Sequence, residues 1–119
     1  MAKKTSPELE NKYAELQNLG QQIQALGTNI AVIQQELSEL EATLEELKKY
    51  PTEGVTYKAV GTVMFQVDRT QLLSEMGDRR ESLTSFLSSR KQSYAKLEAK
   101  YKESYNAFQI ELGKLNPQL

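Results

Sequence analysis

The side chains of this 119-residue sequence that could do chemistry are carboxylates, lysines, tyrosines and hydroxyls, because the sequence contains no Cys, His or Trp. The absence of Cys and His excludes disulfides, thiolate nucleophiles, Cys/His zinc sites and imidazole bases. Paired carboxylates can act as general acid and base. The glutamates, however, fall in runs such as Glu45-Glu46-Leu47-Lys48-Lys49, a spacing typical of charge pairs on the solvated face of a helix. We therefore expect no enzyme activity, metal or cofactor.

Nucleotides, nucleic acids and membranes also lack a recognition signal. The six glycines form neither a GxGxxG nor a GxxxxGK[ST] pattern, and the net charge of −1 gives no electrostatic reason to bind nucleic acid. No stretch approaches the roughly 20 apolar residues that span a bilayer, and the N-terminal MAKKTSPE lacks the apolar core of a signal peptide. We expect a cytoplasmic protein whose function comes from shape and surface.

Two long helices with heptad periodicity must position that surface. Ser6-Pro7-Glu8 predicts the start of the first helix, which Pro51 ends at Tyr50. Its seam, meaning the a and d heptad positions, is Leu9, Leu16, Ile23, Ile30, Leu37, Leu44 and Lys12, Leu19, Leu26, Ile33, Leu40, Leu47. Asp68 and Gln71 predict a variant capping box at the start of the second helix. Its seam is Leu73, Arg80, Leu87, Tyr94, Tyr101, Phe108, Leu115 and Met76, Leu83, Arg90, Leu97, Ser104, Glu111, and Pro117 stops it.

The predicted bounds are about 6–50 for the first helix and about 69–116 for the second, within a single domain of residues 1–119. An antiparallel coil pairs residues whose numbers sum to about 120, because the connection is short. This register places Gly20 near Tyr101 and Gly27 near Tyr94. Two interpretations are open: the coil tolerates these glycines at a cost of about 1 kcal/mol each, or they admit the tyrosine rings.

A β-hairpin at about residues 55–67 interrupts the coil, within the stretch VTYKAVGTVMFQVD. Strands 56–60 and 63–67 are rich in β-branched and aromatic residues, and Gly61-Thr62 fits a type II′ turn. If Val60 faces Val63, one face holds Val60, Val63, Phe65, Val67 and Lys58, and the other holds Tyr57, Ala59 and Met64. Neither face is polar enough to remain in water.

The hairpin therefore predicts assembly with other chains. A two-stranded hairpin is marginally stable alone, and its free edges invite pairing, which closure into a barrel removes. The predicted fold class is mainly α: a long antiparallel two-helix coiled coil with one β-hairpin between the helices, the hairpins assembling into intersubunit β-barrels. The predicted oligomerisation residues are Tyr57, Val60, Gly61, Val63, Phe65 and Val67.

Nearly the whole chain resembles the β-type subunits of the prefoldin family, from SPELENKYAELQNLGQQIQAL through the hairpin to the second coil. The most specific part is Tyr57, Lys58, Val60 and Gly61, followed by apolar strand residues. The resemblance implies a hexamer of two α-type and four β-type subunits, held by two β-barrels from which the coiled coils project. It also implies an ATP-independent holdase that captures non-native proteins and delivers them to a group II chaperonin.

Client binding is expected at the end of the coil that holds both chain termini, because its apolar residues leave the seam. The candidate residues are Leu9, Tyr13, Phe108, Ile110, Leu112 and Leu115. The alternative is that Leu9, Phe108, Leu112 and Leu115 only close the seam. The charged residues available there for chaperonin contact are Lys3, Lys4, Glu8, Glu111 and Lys114.

One other function class, a structural protein without clients, stays open at this point. A structural or tethering subunit would use the same coil and barrel but bind no client. Membrane-surface binding requires a basic amphipathic helix with an open apolar face, whereas the seam occupies the apolar faces of both helices.

Overall fold

A computed structural model describes residues 6–50 and 54–115 of the chain. Its elements are α1 (Pro7–Lys48), β1 (Thr56–Val60), β2 (Val63–Val67) and α2 (Arg69–Leu115). The predicted mainly α fold, two long helices with a central antiparallel hairpin, is confirmed. Neither helix is apolar over a length that would cross a membrane within the described residues. The predicted helix stops at Pro51 and Pro117 lie outside those residues.

The predicted cap at the start of α1 is confirmed. The Leu9 N–H donates to Ser6 Oγ at 3.1 Å, so the hydroxyl satisfies an amide that has no partner inside the helix. Beyond Lys48 the chain forms i to i+3 hydrogen bonds of the 3₁₀ type. The Lys49 N–H donates to the Glu46 carbonyl at 3.1 Å, and the Tyr50 N–H donates to the Leu47 carbonyl at 3.3 Å.

Asp68 caps α2, as predicted. Its Oδ2 accepts from the Gln71 N–H at 3.0 Å, and its carbonyl accepts from the Leu72 N–H at 2.9 Å. The reciprocal half of the predicted capping box is wrong. The Gln71 side chain extends one turn onward instead of back to the Asp68 N–H, and its Nε2 donates to Glu75 Oε1 at 3.4 Å.

The chain forms two compact units, and each contains part of both helices. Unit 1 comprises residues 1–30 and 89–119. In it, a Cβ built on Gly20 would lie 3.8 Å from Tyr101 Cε2, and one built on Gly27 would lie 3.5 Å from Tyr94 Cε2. These contacts confirm the predicted antiparallel register of Gly20 and Gly27. They also show that an alanine methyl group at either position would meet a tyrosine ring at van der Waals distance.

Unit 2 comprises residues 31–88 and contains the hairpin. Glu36 and Arg79 join its two helical segments through an exposed ion pair of 2.7 Å between Oε2 and Nη2. Arg80 occupies a predicted seam position, but its side chain is exposed, because a guanidinium group stays in water when it has no buried partner.

The buried residues lie on the predicted seam in both units. They are Leu9, Leu16, Leu19 and Ser104 in unit 1, and Ile33, Leu44 and Leu83 in unit 2. Many other seam residues are only half-buried, for example Ile23, Leu40 and Leu97. Each unit therefore buries a narrow apolar stripe, as heptad packing predicts.

Candidate functional site

The hairpin turn depends on Gly61. Its φ angle is +61°, and no non-glycine residue in the described part of the chain has a positive φ. Thr62 therefore has a negative φ, and a positive φ at the first turn position alone defines a type II′ turn. The predicted turn is confirmed. A glycine is favoured at this position because a side chain there would meet the following carbonyl oxygen.

The strand register places the apolar residues on the predicted faces. Val60 pairs with Val63, and Lys58 pairs with Phe65. Since cross-strand partners share a face, Val60, Val63, Phe65 and Lys58 lie together, and Val67 continues this face. The register continues on the other face, where Ala59 pairs with Met64 and Tyr57 with Gln66.

Both hairpin faces are open in the single chain. The side chains of Tyr57, Val60, Val63, Met64 and Phe65 are between 51% and 65% exposed. An apolar cluster of this kind, on a two-stranded sheet with two free edges, marks an interaction surface. The structure therefore brings together the predicted oligomerisation residues on one short, exposed hairpin.

A second cluster lies in the segments of unit 1 that we call the coil tip, residues 7–20 of α1 and 101–115 of α2. The Tyr13 and Phe108 rings lie 6.0 Å apart between centroids with an interplanar angle of 39°, an attractive aromatic geometry. Tyr13 is 52% exposed, and its hydroxyl accepts from Gln17 Nε2 at 3.1 Å. Two predicted client-binding residues are thus in contact, and one of them presents a ring to solvent.

The three predicted leucines of the coil tip differ in burial. Leu9 is buried, Leu112 is half-buried and Leu115 is exposed. The burial of Leu9 favours the interpretation that this residue closes the seam. Leu112 and Leu115 retain surface that a bound chain could contact.

Ile110 does not join the aromatic pair. It is 62% exposed and follows Phe108 by two residues, which places it about 200° around the helix axis. The coil tip therefore has apolar surface on two sides of α2.

Sequence reasoning missed Tyr105 as a candidate. This side chain is 45% exposed, and its position three residues before Phe108 places the two about 60° apart on α2. Tyr101, assigned to the seam, is also exposed. The i, i+3 spacing of Tyr105 and Phe108 was the available signal, but Tyr105 falls next to the seam and its exposure depends on how closely the helices approach.

The charged candidates of the coil tip lie on both helices. Glu111 and Lys114 pair at 3.2 Å, and Glu8 is exposed in the first turn of α1. Lys3 and Lys4 lie outside the described residues.

Two heptad helices joined by an exposed apolar hairpin define a coiled-coil subunit that is completed by other chains. A family model described as "Prefoldin subunit" matches residues 10–114, and the chain belongs to the prefoldin subunit family. It is similar to the crystal structure of the prefoldin β subunit from Thermococcus strain KS-1, with 26% identity and a TM-score of 0.80 over 92% of this chain and 96% of that one. This likeness supports a β-type subunit. No match is found among curated proteins.

Proposed function

We propose that this chain is a subunit of an ATP-independent holdase in the cytoplasm. It captures non-native proteins at the coil tip and hands them to a group II chaperonin. The observation that carries the client-binding part is the half-exposed Tyr13 ring packed against Phe108. The chain acts by binding alone, without catalysis or a cofactor.

Assembly occurs through the hairpin, in a hexamer of two α-type and four β-type subunits. Its support is the open apolar surface on both hairpin faces and the two free strand edges. Closing hairpins from several subunits into β-barrels removes those edges and buries residues such as Phe65 and Val63.

Client capture uses exposed apolar side chains on opposite sides of a narrow coil. A non-native polypeptide offers apolar segments without fixed geometry, so short and separate contacts suit it better than a shaped pocket. Tyr13, Phe108, Leu112 and Leu115 supply such contacts on and beside the seam, and Ile110 supplies one on the far side of α2.

The test is the double substitution Tyr13→Ser with Ile110→Ser, together with each single substitution. The double variant is expected to capture a chemically denatured client more weakly while its hexamer keeps a normal mass, because neither residue is needed for the seam. The matched control is Val32→Ser, which removes an apolar side chain of similar exposure (59%) from unit 2. Capture by the double variant that equals capture by the control would exclude these residues.

The second candidate is a structural or tethering subunit. Its support is the burial of Leu9, which leaves this candidate residue little surface for a client. A tethering subunit requires no affinity for unfolded polypeptide, so the assembled complex would not suppress the aggregation of a denatured client. A holdase complex is expected to suppress that aggregation without nucleotide.

A further inference from the structure

Arg69 is an unexpected residue at the start of α2. It directly follows the cap Asp68 and is the first residue of the helix, whose first turn contains no acidic residue. A helix N-terminus has a partial positive charge and favours anions. A cation at this position is therefore unfavourable for α2 itself, and its stabilising partner must lie elsewhere.

The partner of Arg69 is the end of α1. Nη1 donates to the Tyr50 carbonyl at 2.9 Å, and Nη2 donates to the Leu47 carbonyl. The Leu47 carbonyl, in the last turn of α1, also accepts from the Tyr50 N–H, and the Tyr50 carbonyl follows two residues after the end of α1 at Lys48. The C-terminal end of a helix has a partial negative charge, so a cationic donor is favourable there. A guanidinium group is suited to this role because its planar fork reaches two acceptors at once.

The same side chain lies at the base of the hairpin. Arg69 lines a hollow of about 330 Å³ together with Leu47, Tyr50 and the hairpin-base residues 54–57. It also follows the last residue of β2, Val67, by only two positions. The start of the hairpin, the end of α1 and the start of α2 therefore meet around one guanidinium group.

We infer that Arg69 is a positioning residue for assembly. By joining the end of α1 to the start of α2, it holds the hairpin in the orientation that pairing with other subunits requires. Two neighbouring residues then connect the helix ends: the Asp68 carboxylate caps the start of α2, and the Arg69 guanidinium binds carbonyls at the end of α1. This inference rests on the proposed assembly through the hairpin.

The test compares Arg69→Gln, Arg69→Lys and Arg79→Gln in assembly with an α-type prefoldin subunit. Arg69→Gln removes the charge and the fork, and we expect the concentration for half-assembly to rise about tenfold. Arg69→Lys keeps the charge but reaches one carbonyl, and we expect a rise of about threefold. Arg79→Gln is the matched control from the same helix and unit. It loses the exposed ion pair with Glu36, so assembly is expected to stay unchanged. Native mass spectrometry over a dilution series gives the three values.

Amide hydrogen exchange in the chain alone supplies the second readout. Arg69→Gln is expected to speed exchange in the hairpin and at Tyr50, while exchange in residues 12–30 of unit 1 stays as in the parent chain. General destabilisation would speed both regions. Equal assembly of Arg69→Gln and Arg79→Gln, or uniform faster exchange, would overturn the positioning role. If the parent chain formed no complex with the α-type subunit, the proposed assembly would fail, and with it the assembly role of Arg69, whereas the exchange data would still show whether Arg69 orders the hairpin.

Discussion

The contact between Gly27 and Tyr94 allows a quantitative test of how the coil packs. Two substitutions at Gly27 differ in size but little in helix propensity, namely Ala and Leu. A Cβ on Gly27 would lie 3.5 Å from Tyr94 Cε2, an ordinary van der Waals distance. Gly27→Ala is therefore expected to stabilise the chain by about 1 kcal/mol, since it removes the conformational cost of glycine in a helix.

Gly27→Leu gains nearly the same propensity but adds atoms beyond the Cβ. The built Cβ already lies at contact distance from the Tyr94 ring, so a Leu side chain directed at the ring would overlap it by a further carbon–carbon bond of about 1.5 Å. Forcing the ring aside costs about 1–3 kcal/mol, as in other overpacked interiors. The leucine variant is therefore expected to be less stable than the alanine variant by about this amount.

Thermal unfolding followed by far-ultraviolet circular dichroism measures the difference, at one fixed chain concentration because assembly makes Tm depend on concentration. The control is Gly77, which has no atom within 4 Å of a built Cβ, so its Ala and Leu variants are expected to melt alike. Placing Gly27→Leu on a Tyr94→Ala background is expected to remove most of the penalty. Equal melting temperatures for Gly27→Ala and Gly27→Leu would refute the packing argument. The remaining interpretation would be that the coil merely tolerates a glycine at this position.

Three further predictions concern the seam, the turn and the coil tip. Ser104→Ala is expected to raise Tm, because the buried Ser104 Oγ has no hydrogen-bond partner and its burial costs about 1 kcal/mol; a lower Tm on thermal unfolding would contradict this. Gly61→Val places a β-branched residue at a φ of +61° and is expected to weaken assembly with an α-type subunit at unchanged helix content. Native mass spectrometry that showed normal assembly would contradict the turn argument. Tyr105→Ser is expected to weaken client capture in a light-scattering assay relative to Val32→Ser, and equal capture would remove Tyr105 from the binding surface.

The helices, their register and the hairpin could be predicted from the sequence because each depends on a local property. A seven-residue apolar period fixes which residues face the partner helix, and this placed Gly27 opposite Tyr94. A glycine followed by Thr62 between two β-branched strands fixed the turn and, through it, the pairing of Val60 with Val63.

The remaining features depend on distances between elements, which periodicity does not supply. The role of Arg69 follows from where α1 ends, and no local pattern around Asp68 indicates it. Gln71 fits the capping-box spacing, but its side-chain Nε2 donates to Glu75, one turn onward on the same helix face. At the coil tip, the spacing could not separate the buried Leu9 from the exposed Tyr105, since both lie on or beside the seam.

The chain is proposed to act in a nucleotide-independent holdase that binds its clients at the coil tip. The most direct measurement is light scattering from a chemically denatured client diluted into the complex of this chain with an α-type partner, without nucleotide. The full-length chain is compared with one that lacks residues 1–9 and 108–119. Only the full-length complex is expected to suppress aggregation. Absence of suppression by either complex, at normal hexamer mass, would contradict the holdase and favour a structural subunit.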